Sequence, residues 1–417
     1  MVERPLRIGF LTSEYPTETY TGGIGSYVRQ MAQSLVELGH SSFVLLSAPL
    51  DEGPAWDGPV PIYRVRVSGF ASRLPEPLGK GASLSFARAL ARIANELSLD
   101  VLEAPEWGGL TAFLDLVKPP KLRVVVRLHT CSSIVRRVNN SNAQSMRERL
   151  EWRLRDWLEK RSVLTADAVT AVSKAIGEET TRSLRLVRTD FQVIPNSVND
   201  SAFSLAEDMS EAANPVVLFI GRLEWRKGPD LLIRAVPAIL KRQPRVLFRF
   251  AGMDTATGPG SISMRSHLDS LLPSGARSNV DFCGHLAPPQ LEEALCQATV
   301  CVFPSRYEGL PMVCLEAMAH GKAIVATDIP GFCEMISDGE TGVIVRGEDP
   351  ESLASAVERL LSDDLLRARL GKTARKAARS QFHGSVVAKC MLRVYRATMT
   401  GAESHGQNGS NKDSGLR

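Results

Sequence analysis

The feature that most limits how this chain can fold is an alternation running almost its whole length: short, near-continuous apolar runs rich in β-branched residues, separated by amphipathic stretches. Strands of that composition are buried on both faces, which requires helices on both sides of a parallel sheet. Residues 7–12 (RIGFLT) read as the first strand, 26–38 as a helix after a glycine turn, and 42–47 as the next strand, with Gly39 ending the helix. Further strands are expected at 101–103, 123–128, 169–172 and 192–194. Residues 204–215 are acidic and turn-forming with no apolar run, and the alternation then restarts at 216–220 (VVLFI). A helix at 229–242 and strands at 247–251, 280–283, 300–303, 323–326 and 342–345 follow. The expected fold is α/β, with a doubly wound domain over 1–203, a linker over 204–215 and a second doubly wound domain over 216–380. The Gly-, Ser- and Asn-rich stretch 401–417 lacks apolar periodicity and is expected to be a disordered tail.

Composition excludes several function classes. Lys and Arg number 50 against 46 Asp and Glu, a net charge of +4 that is too mild to imply a nucleic-acid partner. The seven cysteines are odd in number, scattered and without a CxxC pair, which argues against a disulfide framework or a zinc site and for a reducing compartment. The N-terminal residues lack the pattern of a signal peptide, and no run approaches the roughly 20 apolar residues of a membrane span. A cytoplasmic protein is expected.

In doubly wound sheets ligands bind at the carboxyl ends of the strands, so the residues just past each apolar run carry the functional reading. After the first strand, Tyr20-Thr21-Gly22-Gly23-Ile24-Gly25 would let a ligand approach the backbone and offers a helix N-terminus to an anion; an ordinary glycine turn fits equally well. A nicotinamide fingerprint does not fit. Counted from Gly23, its sixth position is Val28, and the second strand ends in Leu46-Ser47-Ala48 with no acid to hold a ribose. After the first strand of the second half come Gly221-Arg222 and Lys227-Gly228. A guanidinium fork and a mobile ammonium five residues apart suit a diphosphate whose leaving charge is neutralised without metal, the alternative being two solvated loop cations. No DxD triplet is present to suggest a metal-bound diphosphate.

The most informative segment is Phe303-Pro304-Ser305-Arg306-Tyr307-Glu308-Gly309-Leu310-Pro311, running on to Glu316. A strand ends at Phe303, a turn carries Glu308, and Pro311 suits the first turn of a helix that would carry Glu316. Backbone amides there can hold a phosphate, and carboxylates suit vicinal hydroxyls; dipole compensation is the plainer reading of either glutamate alone. His129 ends the run 124–128 and would face a cleft, or sit as a satisfied loop histidine. Glu106-Trp107-Gly108 shapes the other side of the cleft or simply packs, and Asn196 reads as a turn cap.

Taken together, Glu308-Gly309-Leu310-Pro311 with Glu316-Ala317-Met318-Ala319 resembles the E-x7-E signature of glycosyltransferase family 4. Gly22-Gly23-Ile24, Ala171-Val172-Ser173, Ile194-Pro195-Asn196, Gly221-Arg222-Leu223, Lys227-Gly228, 321–327 and 331–342 continue the resemblance in family order. The resemblance implies a GT-B fold of two facing Rossmann-like domains, the first binding acceptor and the second the nucleotide sugar, with a helix over 381–400 returning to the first. It implies transfer of a hexosyl unit, with retention and without metal or other cofactor, from a nucleotide diphosphate sugar to a hydroxyl of a glycan, lipid-linked or small-molecule acceptor. UDP is the commonest donor nucleotide in the family. Carried over, Arg222 and Lys227 would grip the donor diphosphate, Glu308 would contact the donor sugar and Glu316 the ribose. Gly22 and Gly23 would let the loop approach the phosphates, and the segment Gly309-Leu310-Pro311 would complete the cradle with the backbone N–H groups of Gly309 and Leu310. His285 and Leu286 would border the base, and His129 would lie by the sugar on the acceptor side. The family's histidine is often followed by an acid; here Thr130-Cys131 follow. The rival readings are an epimerase or hydrolase acting on nucleotide sugars, and a silent glycan-binding scaffold.

Between Lys118 and Arg161 twelve Lys or Arg face four Asp or Glu. The stretch reads either as a solvated helix with i,i+4 pairs such as Glu151 with Arg155, or as a peripheral contact with an anionic membrane or a phosphate-bearing lipid carrier through residues 118–161.

Overall fold

The computed structural model describes residues 4–18, 22–47, 55–65, 83–139, 141, 143, 145–187, 190–204 and 214–401. Most of the expected linker and tail, and Tyr20 and Thr21 of the glycine run, lie outside them.

The N-terminal half forms strands β1 (Arg7–Thr12), β2 (Ser41–Leu46), β3 (Ala55–Asp57), β4 (Val60–Arg64), β5 (Val101–Pro105), β6 (Arg123–Leu128), β7 (Ala168–Ala171) and β8 (Gln192–Val193). Their spatial order is β3-β4-β2-β1-β5-β6-β7-β8, and every pairing is parallel except β3 with β4. The helices are α1 (Gly23–Glu37), α2 (Leu84–Glu96), α3 (Ser132–Val138), α4 (Met146–Leu164), α5 (Lys174–Ser183) and α6 (Ser201–Ser204). The hairpin of β3 and β4 is absent from the sequence reading, because Pro61 interrupts its only apolar run. The proline is tolerated because it lies outside the register with β2, opposite Trp56 of the edge strand β3.

The C-terminal half forms β9 (Val216–Ile220), β10 (Leu247–Ala251), β11 (Val280–Gly284), β12 (Val300–Phe303), β13 (Ala323–Thr327) and β14 (Val343–Val345), all parallel, in the order β11-β10-β9-β12-β13-β14. Its helices are α7 (Pro229–Arg242), α8 (Met264–Leu271), α9 (Pro288–Gln297), α10 (Met312–Ala319), α11 (Pro330–Cys333), α12 (Pro350–Ser362) and α13 (Asp364–Ala377). In both sheets the strand order reverses beside the first strand, at β1/β5 and at β9/β12. The loops leaving these switch points frame the cleft.

The last helix, α14 (Gly384–Thr400), returns to the first domain. Val387, Ala388, Met391 and Tyr395 bury themselves against Tyr27 and Met31 of α1. Its deepest anchor is polar. Tyr395 and Tyr27 both donate their hydroxyls to the buried Glu103 carboxylate on β5. Arg127 of β6 stacks over the Tyr27 ring at 4.2 Å, supplying the compensating charge a buried carboxylate needs.

Part of the basic stretch is ion-paired. Arg136 meets Asp156, Arg137 meets Glu179, Arg161 meets Asp115 and Lys118 meets Asp167. Glu151 pairs with Arg147, one turn earlier, rather than with the expected Arg155. Among the described residues no helix is long and apolar enough to cross a membrane, and all seven cysteines are free thiols.

Tyr395→Phe removes one donor to Glu103 without opening a cavity. It is expected to cost about 1–3 kcal/mol, measured as a lower urea midpoint; an unchanged midpoint would deny the anchor.

Candidate active site

The loop after β9 makes a single 3₁₀ turn, Trp225–Lys227, and passes through Gly228 into α7. Gly228 has φ 65°, and a Cβ there would fall 2.0 Å from the Pro304 carbonyl oxygen, so only glycine lets this loop meet the one after β12. The two loops are stitched together. Arg306 donates its backbone N–H to the Arg226 carbonyl at 2.8 Å, while its side chain grips Asp230 at 2.7 and 2.8 Å and lies 3.8 Å over the Trp225 ring.

This stitching sets Glu308 between two cations. Lys227 donates to Oε1 and Arg226 to Oε2, the latter at 3.0 Å, and the Ser305 hydroxyl adds a bond of 3.2 Å to Oε1. Arg226 in turn meets Glu224 at 2.6 Å, and Glu224 reaches Arg222 at 3.1 Å. Burial opposes charge on Glu308, but Lys227 and Arg226 outweigh it and hold the carboxyl below its ordinary value. For Lys227 burial wins, and its pKa is lowered despite Glu308. The cluster thus carries three cations against two carboxylates. Its outermost member, Arg222, is the exposed one at 48%, against 6% for the Glu308 side chain.

Pro311 caps α10 from just outside instead of lying in its first turn, and Glu316 sits further along the helix. Burial first, and then the charge of Glu292 on α9, push the Glu316 carboxyl up to about 7. Its Oε2 has no hydrogen-bond partner among the described residues. His285 and Leu286 follow the edge strand β11 on the flank that leads into α9, His285 exposed and Leu286 half-buried. Gly309 lies at the domain boundary, where a Cβ would sit 2.9 Å from the His129 carbonyl oxygen.

Across the cleft, Gly23 opens α1 instead of preceding it, and a Cβ on Gly23 would lie 3.9 Å from Met312 Cγ. The first turns of α1 and α10 therefore face one another. The Gly25 N–H is taken by the Glu14 carboxylate at 3.0 Å, against which Gly22 also lies. His129 donates its backbone N–H to Glu106 at 2.9 and 3.0 Å, and its ring meets Tyr27 edge-on at 5.4 Å. Burial, and then Arg127, depress its imidazole well below the ordinary value, so the ring is neutral rather than cationic.

Two residues outside the expected set complete the site. Arg226 is the second ligand of Glu308, and its backbone N–H bonds Asn139 of the other domain at 3.0 Å. Asn196, expected to cap a turn, is buried. It accepts from Arg127 at 3.2 Å and donates to the Leu310 carbonyl across the cleft at 2.7 Å. The strand-end rule that singled out His129 also marks Asn196, and the Arg-Lys doublet marks Arg226.

Comparison with known proteins identifies the class. Residues 21–202 match the family described as Glycosyltransferase Family 4, and residues 206–377 match Glycosyl transferases group 1. The chain is a family 4 glycosyltransferase. It is 28% identical to an uncharacterised glycosyltransferase of Methanocaldococcus jannaschii over 94% of this chain and 99% of that one. It is 26% identical to the glycogen synthase of Mycobacterium tuberculosis over 95% and 96%. Its fold matches the GT-B glycosyltransferases, among them Anabaena HepE in complex with UDP and glucose, with a TM-score of 0.69 at 18% identity over 94% of this chain and 100% of that one.

In this glycosyltransferase the raised Glu316 pKa has a measurable sign. The folded state holds the proton more tightly than the unfolded chain, so the group's contribution to stability is full below about pH 4.5 and is lost as pH rises through about 7. Between pH 5 and 8 the wild type should lose on the order of 2–3 kcal/mol more than Glu316→Gln. Parallel stability–pH curves from denaturant titration would contradict this.

Proposed function

We propose that this glycosyltransferase moves a hexosyl unit from a nucleoside diphosphate sugar to a hydroxyl acceptor with retained configuration and without metal. The observation that carries the reading is the Glu308 clasp. Arg226 and the Ser305 hydroxyl remain on Glu308 while Lys227 turns to an incoming diphosphate alongside the exposed Arg222. Charge developing on the leaving group then meets both cations, which stabilise it. The acceptor oxygen bonds to the anomeric carbon on the face from which the phosphate departs. As the carbon–oxygen bond to phosphate breaks, the acceptor proton passes to the leaving phosphate oxygen. The unpartnered oxygen of Glu316 supports its role toward a ribose hydroxyl, and the neutral His129 supports one toward a sugar hydroxyl. The UDP and glucose bound by the Anabaena protein make UDP-sugars the first donors to test.

With UDP-, GDP- and ADP-hexoses offered alongside glycan, lipid-linked and small hydroxyl acceptors, nucleoside diphosphate release should require both donor and acceptor and persist in EDTA. The product should keep the donor's anomeric configuration by NMR. Lys227→Ala and Glu308→Ala should each lower turnover about 10²–10³-fold with unchanged circular dichroism. Near-normal turnover in either variant, or donor consumption that ignores the acceptor, would overturn the assignment.

A membrane-bound acceptor suits the surface of α4. Met146, Leu150 and Trp157 are exposed at spacings that share one helix face. Arg149 and Arg153 flank them with no carboxylate partner among the described residues. Such a stripe can lie in the interface of an anionic bilayer. Pelleting should rise with phosphatidylglycerol content and fall in an Arg149→Glu, Arg153→Glu double variant; indifference to both would remove this contact.

A further inference from the structure

The two domains also meet at the cleft rim through Glu334, which immediately follows α11. Its Oε2 accepts the Lys174 backbone N–H at 2.7 Å and its Oε1 that of Ala175 at 2.8 Å. These are the first two residues of α5, in the other domain. The next amide, Ile176, is taken at 3.2 Å by Ser173 of its own domain. The unpaired N–H groups of the α5 first turn are thus divided between a local cap and a carboxylate from across the boundary, where the helix dipole also favours negative charge.

Both ends of this contact lead to the reaction site. On the Glu334 side, Gly331 of α11 lies so close under the donor-side loop that a Cβ would come 2.3 Å from the Glu308 carbonyl oxygen and 2.6 Å from that of Gly309. On the α5 side, the Ile176 side chain lies against Gly309, 3.0 Å from where a Cβ would be. Glu334, the first turn of α5, Gly309 and Gly331 therefore form a closed circuit around the loop that carries Glu308. The Glu334 side is solvent-exposed, so its bonds can exchange with water at small net cost, which suits a contact made and broken as the cleft works.

We propose that Glu334 is a positioning residue, a latch that grips the N-terminus of α5 to hold the two domains in the reactive arrangement and so fixes the Glu308–Gly309 loop relative to His129. The proposal rests on the glycosyl-transfer reading of the cleft for its catalytic consequence, but its structural half can be read without any donor.

Hydrogen–deuterium exchange of the full-length protein, with and without UDP, tests that half. Glu334→Ala should speed exchange of the Lys174 and Ala175 amides about tenfold or more, while amides in β9 and β12 stay protected. With a donor and acceptor that support turnover, the same variant should lose about tenfold or more in kcat, with the donor Kd within about threefold of wild type. Glu334→Gln, which retains one acceptor oxygen, should recover part of both effects. Unchanged exchange at Lys174 and Ala175 would remove the latch, and faster exchange with unchanged kcat would remove its positioning role. Failure of the wild type to transfer from any donor would instead count against the function assigned to the cleft, and the exchange result would still decide the latch.

Discussion

A carboxylate buried in a loop is unfavourable unless something holds its charge, and at Glu308 two neighbouring cations do so. Much of the second domain's cleft wall follows from that requirement. Arg226 and Lys227 must come from one tight turn, which must approach the loop after β12, which only Gly228 allows. Glu224 then balances Arg226, leaving Arg222 as the outward cation. Burial lowers the Lys227 pKa despite Glu308, so its ammonium is the less firmly charged of the two cations on that carboxylate. Arg226, with its guanidinium fork split between Glu224 and Glu308, stays in place.

The first domain contributes rigidity by a parallel device. Glu103, Tyr27, Tyr395 and Arg127 form one buried polar unit that ties the returning helix to the sheet. The same guanidinium holds Ile194, Pro195 and Asn196, and through Asn196 reaches the Leu310 carbonyl. A charge placed to anchor α14 thereby also orients the loop that faces the other domain's α10. Burial first, and then the proximity of Arg127, keep His129 uncharged.

The sheets were legible because parallel strands buried on both faces leave an apolar signature at each position; β9, β10 and β12 match their expected bounds. The β3–β4 hairpin was not, since its apolar run is short and interrupted by Pro61. Within the site, Glu308, Lys227 and the glycine turn were readable from spacing and strand ends. Arg226 was not singled out, because a cation in a basic loop looks solvated until the fold brings Glu224 and Glu308 to either side of it. Asn196 and Glu334 escaped for the same reason. Each acts on a backbone group of the other domain, and a single sequence does not tell which loops will meet.

The most direct test is a crystal structure with UDP, or whichever nucleoside diphosphate binds, in the cleft. Lys227 Nζ should have moved to about 3 Å from a phosphate oxygen, with Arg226 still on Glu308 and Arg222 turned toward the same diphosphate. A nucleotide bound with Lys227 unmoved on Glu308, or with its phosphates away from the turn 225–227, would contradict the account.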